Sequence, residues 1–79
     1  MPTLILYSRP ECHLCELLTG ELLPLLGERV RIEVVDIGTA PELERRYGLR
    51  IPVVVAGDTE LTGYPLDRER VERYLAGLD

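Results

Sequence analysis

The stretch Ser8-Arg9-Pro10-Glu11-Cys12-His13-Leu14-Cys15 holds both cysteines of the chain, spaced C-x-x-C. A short apolar run, Thr3 to Tyr7, precedes it, and a leucine-rich stretch with helical spacing follows it. A cysteine pair between a strand and a helix reads as a redox pair. Unpaired backbone N–H groups and the positive end of the dipole favour an anion at a helix start, and a thiolate is an anion. Residues three apart on a helix are neighbours, so Cys12 and Cys15 are within disulfide reach.

Outward from that stretch, the run Thr3–Tyr7 suits a strand buried on both faces. From Cys12, Leu14, Leu17, Leu18, Leu22 and Leu25 recur at helical intervals, with Glu16 and Glu21 toward water. Pro24 is expected to end or kink this helix near Leu22 or Leu23. Arg29 to Asp36 alternates, with Val30, Ile32 and Val34 on the buried face of a second strand. Thr39 and Glu42 have capping-box spacing for a short helix that Gly48 closes in a left-handed conformation. Leu49 to Ala56 reads as the third strand, Gly57-Asp58 as a hairpin turn, and Thr59 to Thr62 as the fourth strand. Asp67 caps a last helix whose core stripe is Val71, Tyr74, Leu75 and Leu78. The fold class is therefore α/β, order βαβαββα: a four-stranded mixed sheet with three helices on its two faces, forming one domain over residues 1–79.

Composition narrows the function. The chain has 79 residues, 46% hydrophobic and only 5% aromatic, so its core is aliphatic. A net charge of −5 lacks the footprint of a nucleic-acid binder. No apolar run reaches the roughly 18 residues of a membrane span. The start Met1-Pro2-Thr3 carries no signal-peptide pattern, which implies a cytoplasmic protein with reduced thiols. The loop closed by C-x-x-C is too short for a disulfide that serves stability alone. Cys12, Cys15 and the lone His13 are too few for a structural zinc site unless a dimer shares them. That leaves dimeric metal or iron–sulfur binding as a minor alternative; the chain is otherwise expected to be a monomer with no metal and no bound cofactor. A binding or redox-sensing module without turnover is the other alternative.

The element order, the segment Tyr7 to Cys15 and Ile51-Pro52 before the third strand resemble glutaredoxins of the thioredoxin superfamily. The likeness spans essentially the whole chain, and the C-H-L-C pair is similar to that of a small glutaredoxin-like branch. It implies a thioredoxin-like, glutaredoxin-type three-layer fold and a cis Pro52 facing the cysteines. It implies that the backbone of Ile51 pairs with the substrate beside the attacked sulfur, and that Arg9, His13, Gly63 and Tyr64 contact substrate. The activity implied is thiol–disulfide exchange on protein or small-molecule disulfides, with glutathione or thioredoxin reductase and NADPH as electron source. Glutaredoxins hold glutathione with acidic residues where this chain has Pro65 and Leu66, a departure that weighs against glutathione. The segment Thr62 to Asp67 resembles that of redoxins served by thioredoxin reductase.

Within this reading Cys12 is the nucleophile. An unperturbed thiol titrates at about 8.5, and lowering that to about 7 corresponds to roughly 2 kcal/mol in favour of the thiolate. Cys15 is the resolving thiol. Arg9 either lies on the surface or meets an acidic group of substrate. His13 is an exposed first-turn residue or, when protonated, a tuner of the Cys12 thiolate. Glu11 and Glu44 read as solvated.

Overall fold

Leu4 and Leu6 point to one side of the first strand, and Ile5 and Tyr7 to the other. Both sides are at least half-buried, so the strand has to sit inside a sheet covered on both faces. The computed structural model describes residues 2–78; Met1 and Asp79, the ends of the predicted domain, lie outside them. Four strands, β1 (Thr3–Ser8), β2 (Arg31–Asp36), β3 (Val53–Ala56) and β4 (Thr59–Thr62), form one mixed sheet in the order β2-β1-β3-β4. Strand β2 runs parallel to β1 through the helical crossover α1 (His13–Leu26). Strands β3 and β4 are an antiparallel hairpin, and β3 is also antiparallel to β1. Gly57 opens the hairpin turn with φ 62°, a conformation open to glycine without cost.

Helix α1 and helix α3 (Arg68–Ala76) cover one face. Leu18, Leu22 and Leu26 of α1 and Val71 and Leu75 of α3 enclose Leu4, Leu6, Val54 and Leu61. The opposite face carries a smaller cluster of Ile37, Tyr47, Val53 and Val55, with Tyr7, Leu43 and Ile51 against it. There α2 (Pro41–Tyr47) presents Tyr47, whose ring stacks on Tyr7 at 4.3 Å between centroids. The α/β class, the three helices and the mixed four-stranded sheet are as the sequence pattern implies.

Several local expectations fail, each for a physical reason. Helix α1 does not stop before Pro24 but runs on to Leu26. Pro24 and Gly20, whose carbonyl would have taken its bond, both lie on the exposed side, where water can serve that carbonyl. The buried stripe of α1 is Cys15, Leu18, Leu22 and Leu26, while Leu14 and Leu17 are 46% and 38% exposed. Val34 is 62% exposed because β2 is an edge strand that α1 does not fully cover. Strand β3 starts only at Val53, and Leu49 is fully exposed in the turn before it. The Thr39 capping box does not form. A 3-10 turn, Ile37–Thr39, is capped by the Asp36 carboxylate, and Ala40 precedes α2 with no side-chain cap. Gly48 is right-handed at φ −50°; glycine is needed there because a Cβ would meet the Glu44 carbonyl. Leu78 lies beyond α3 and is 37% exposed.

The continuation of α1 through Pro24 has a measurable consequence. A proline inside a helix costs about 3 kcal/mol, and its removal gives back about 1 kcal/mol of unfolded-chain freedom. Pro24→Ala should therefore stabilise the protein by about 2 kcal/mol, roughly 10 °C in melting temperature for a domain of this size. A thermal melt that is unchanged or lowered contradicts the uninterrupted helix.

Candidate active site

The strand directions bring four segments to one end of the sheet. β1, β2 and β4 finish there and β3 begins there, because β3 runs opposite to the other three strands. In open α/β sheets this end, beyond the carboxyl ends of the parallel strands, is where ligands bind. From the end of β1 the chain passes through Arg9, Pro10 and Glu11 into α1. Glu11 adopts a left-handed φ of 59°, an uncommon conformation for a residue with a Cβ. Such strain is found at functional sites, and here it sits immediately before the first cysteine.

Cys12 is the N-cap of α1. Its sulfur takes the place of a capping hydroxyl and accepts the N–H of Cys15 at 3.2 Å. Cys12 is half-buried and Cys15 only 5% exposed. The two are joined as a disulfide with Cα atoms 5.2 Å apart. The cap position thus leaves one sulfur reachable and ties it to a second sulfur beneath the helix. Thr19 donates its hydroxyl to the Cys15 carbonyl at 2.8 Å, fixing the turn behind the pair.

A cleft of about 440 Å³ opens beside the disulfide. It is lined by Leu6 and Ser8 of β1, by Arg9, Glu11 and Cys12 of the loop, by Cys15, Glu16 and Thr19 of α1, and by Val34 of β2. Arg9 lines this cleft, yet its guanidinium is held bidentately by Glu44 of α2, at 2.7 and 3.1 Å. Glu44 is therefore not merely solvated. His13 projects outward from the first turn, with side chain 80% exposed, and its Nδ1 lies 3.9 Å from Glu16 Oε2.

The remaining residues assigned from the sequence lie apart from that cleft. The antiparallel register of β1 and β3 ends with Tyr7 beside Val53, so Pro52 enters β3 at the end of the sheet where the cysteine loop departs from β1. The Ile51–Pro52 bond is cis; Pro52 is buried and Ile51 half-buried. Gly63 stands against the Pro52 carbonyl, 3.2 Å from where its Cβ would be. Gly63 and Tyr64 line a second cleft of about 450 Å³, together with Arg50, Glu60 and Arg70. Arg50 is paired there with Glu60. Asp67, the acidic residue of that segment, caps α3 by accepting from the Arg70 amide at 3.1 Å. Of the predicted residues, Arg9, Cys12 and Cys15 line the first cleft and Gly63 and Tyr64 the second, while His13, Ile51 and Pro52 line neither.

Sequence reasoning missed Glu44, Glu16, Thr19 and Val34 as site residues. Glu16 and Thr19 had a signal, since they follow Cys12 by about one and two helical turns. Glu44 had none, being 35 positions from Arg9 with no local pattern linking them. Among the described residues, no cluster of three or more His, Cys, Asp or Glu side chains could hold a metal ion.

No curated protein matches the chain. A solved structure, a Northeast Structural Genomics target protein from X. campestris, is similar at 33% identity and TM-score 0.74. The alignment covers 94% of this chain and 96% of that one. The family model for the glutaredoxin-like domain (DUF836) matches residues 3–76. That match, together with the Cys12–Cys15 pair, supports a thiol redox role. By the extent of the match and the order of its elements, the chain belongs to the glutaredoxin-like domain family.

Proposed function

We propose that the protein is a dithiol–disulfide oxidoreductase that reduces protein or small-molecule disulfides through Cys12 and Cys15. The observation that carries this reading is the N-cap position of Cys12, reachable from the cleft and bonded to a buried partner one turn on. In the reduced protein a Cys12 thiolate sits at the positive end of a 14-residue helix. It attacks a substrate disulfide, forms a mixed disulfide and releases the first substrate thiol. Cys15 then attacks the Cys12 sulfur, releases the second thiol and closes the internal disulfide. Two electrons leave the protein dithiol, and its two protons end on the substrate thiols.

Substrate chain would lie along Ile51, beside cis Pro52 at the end of β1 from which Cys12 departs, with Gly63 and Tyr64 flanking. A monomer working in a reducing compartment such as the cytoplasm fits this cycle. The alternatives for re-reduction are glutathione, and thioredoxin reductase with NADPH. Glutathione carries carboxylates that need cationic or amide partners and an ammonium that needs an acidic one. Arg9 is already engaged by Glu44, and Asp67 is spent on capping α3.

Three measurements test the proposal. At neutral pH, brief alkylation of the reduced protein should label Cys12 at least tenfold faster than Cys15, as read by peptide mass spectrometry; equal slow labelling refutes the roles assigned. With the oxidised protein, thioredoxin reductase and NADPH should restore free thiols faster than glutathione with its reductase. The reverse order reassigns the donor, and failure of both leaves a binding or sensing module without turnover. His13→Ala should shift the reduction potential by less than about 10 mV, against about 30 mV for 1.4 kcal/mol. The reason is that the imidazole points into solvent. A larger shift makes His13 a tuner of the pair.

A further inference from the structure

Every charged side chain that meets the cysteine cleft can be accounted for. Arg9, Glu11 and Glu16 line it directly. Arg9 is matched by Glu44, which holds both of its terminal nitrogens. Asp36, at the same end of the sheet, is turned to the Gly38 amide at 2.8 Å. His13 stands near Glu16, with Nδ1 3.9 Å from Oε2, and projects into solvent. The chain contains no lysine, so no lysine ammonium can swing in from elsewhere. What remains facing the approach to Cys12 is a pair of carboxylates, Glu11 before it and Glu16 one turn after it. Neither has a charged partner among the described residues other than His13. Glu11 occupies a left-handed backbone position just before Cys12, and Glu16 lies in the first turn of α1.

A carboxylate next to a thiolate raises the energy of the anion, so these two residues do not serve the nucleophile itself. They do act on whatever brings a disulfide to it. Within the cysteine cleft an incoming anion meets Glu11 and Glu16 with no unpaired cation to offset them, Arg70 lying in the second cleft, whereas an incoming cation is drawn in toward the sulfur. We infer that Glu11 and Glu16 are specificity determinants that select disulfides flanked by basic residues on a polypeptide and reject anionic ones. This rests on the oxidoreductase reading and names its substrate class. The exchange is unchanged: Cys12 displaces one peptide thiolate, Cys15 displaces the other, and the protein dithiol is the reductant. Both carboxylates are exposed to solvent, so the selection operates at close range and is weakened by salt.

The test uses two short capped peptides, each with one cysteine and presented as its symmetric disulfide. One carries lysine on both sides of the cysteine and the other glutamate. Their reduction by the pre-reduced protein is followed at pH 8 in low salt. Each rate is divided by the rate of the same disulfide with dithiothreitol, which removes differences in intrinsic reactivity. The lysine peptide should be favoured by about fivefold or more, and the ratio should fall to within about twofold in 0.5 M salt. In E11Q/E16Q the low-salt ratio should likewise fall to within about twofold. Equal rates for the two peptides, or a ratio that survives both substitutions, overturn the specificity while leaving the oxidoreductase reading intact. If neither peptide is reduced although dithiothreitol reduces both, the oxidoreductase reading falls and the specificity falls with it.

Discussion

Leu4 and Leu6 turn one way out of β1 and Ile5 and Tyr7 the other, so this strand can be removed from water only by covering both faces of the sheet. That requirement constrains the path of the chain beyond β1. The chain leaving β1 must return across one face before β2 can pair in parallel, and only a helix of the length of α1 both spans the distance and buries a leucine stripe on the way. The helix therefore begins just past the end of β1. A residue at that point is the N-cap, and here it is a cysteine. The reactive geometry comes from the crossover: burial of β1 dictates α1, and the start of α1 sets one sulfur among unpaired amides while the second turns inward with Leu18 and Leu22.

The same constraint explains what could be read from the sequence. The layer order came from the unbroken apolar run of β1, the helical spacing after Cys12 and the Gly-Asp turn, all local patterns. Cys12 and Cys15 were legible for that reason too, since strand, loop and helix start are contiguous. What could not be read was decided across the sheet. Val34 alternates correctly with Val30 and Ile32, yet it is exposed because β2 is an edge strand that α1 leaves partly open. Leu14 and Leu17 fit a helical stripe as well as Leu18 and Leu22 do, but the face turned to the sheet is that of Cys15, Leu18, Leu22 and Leu26. Pro24 is a helix breaker by rule, and solvent on its side of α1 lets the helix continue.

The charge pattern shows the limit more sharply. Arg9, three residues before Cys12, looks like a cation offered to substrate. Its actual partner is supplied by α2 on the opposite layer, and the pair ties the cysteine loop to that layer. An exposed pair of this kind contributes about 0–1 kcal/mol to stability, so its larger effect is on the potential a substrate meets. Neutralising Arg9 leaves Glu11 and Glu16 in command of the entrance to the cleft.

Two demands on the same few residues then pull in opposite directions. The helix N-terminus favours a Cys12 thiolate, while the neighbouring carboxylates oppose it. The helix acts through backbone amides within hydrogen-bond range, and such an amide reaches the Cys12 sulfur at 3.2 Å. The carboxylates act from solvent-exposed positions, where screening reduces their influence on a fixed anion. Their effect on an arriving charge is larger, because a substrate bound against Cys12 displaces that solvent. The arrangement thus separates the two tasks: short-range dipoles set the reactivity of the sulfur, and longer-range charge sets which disulfides reach it.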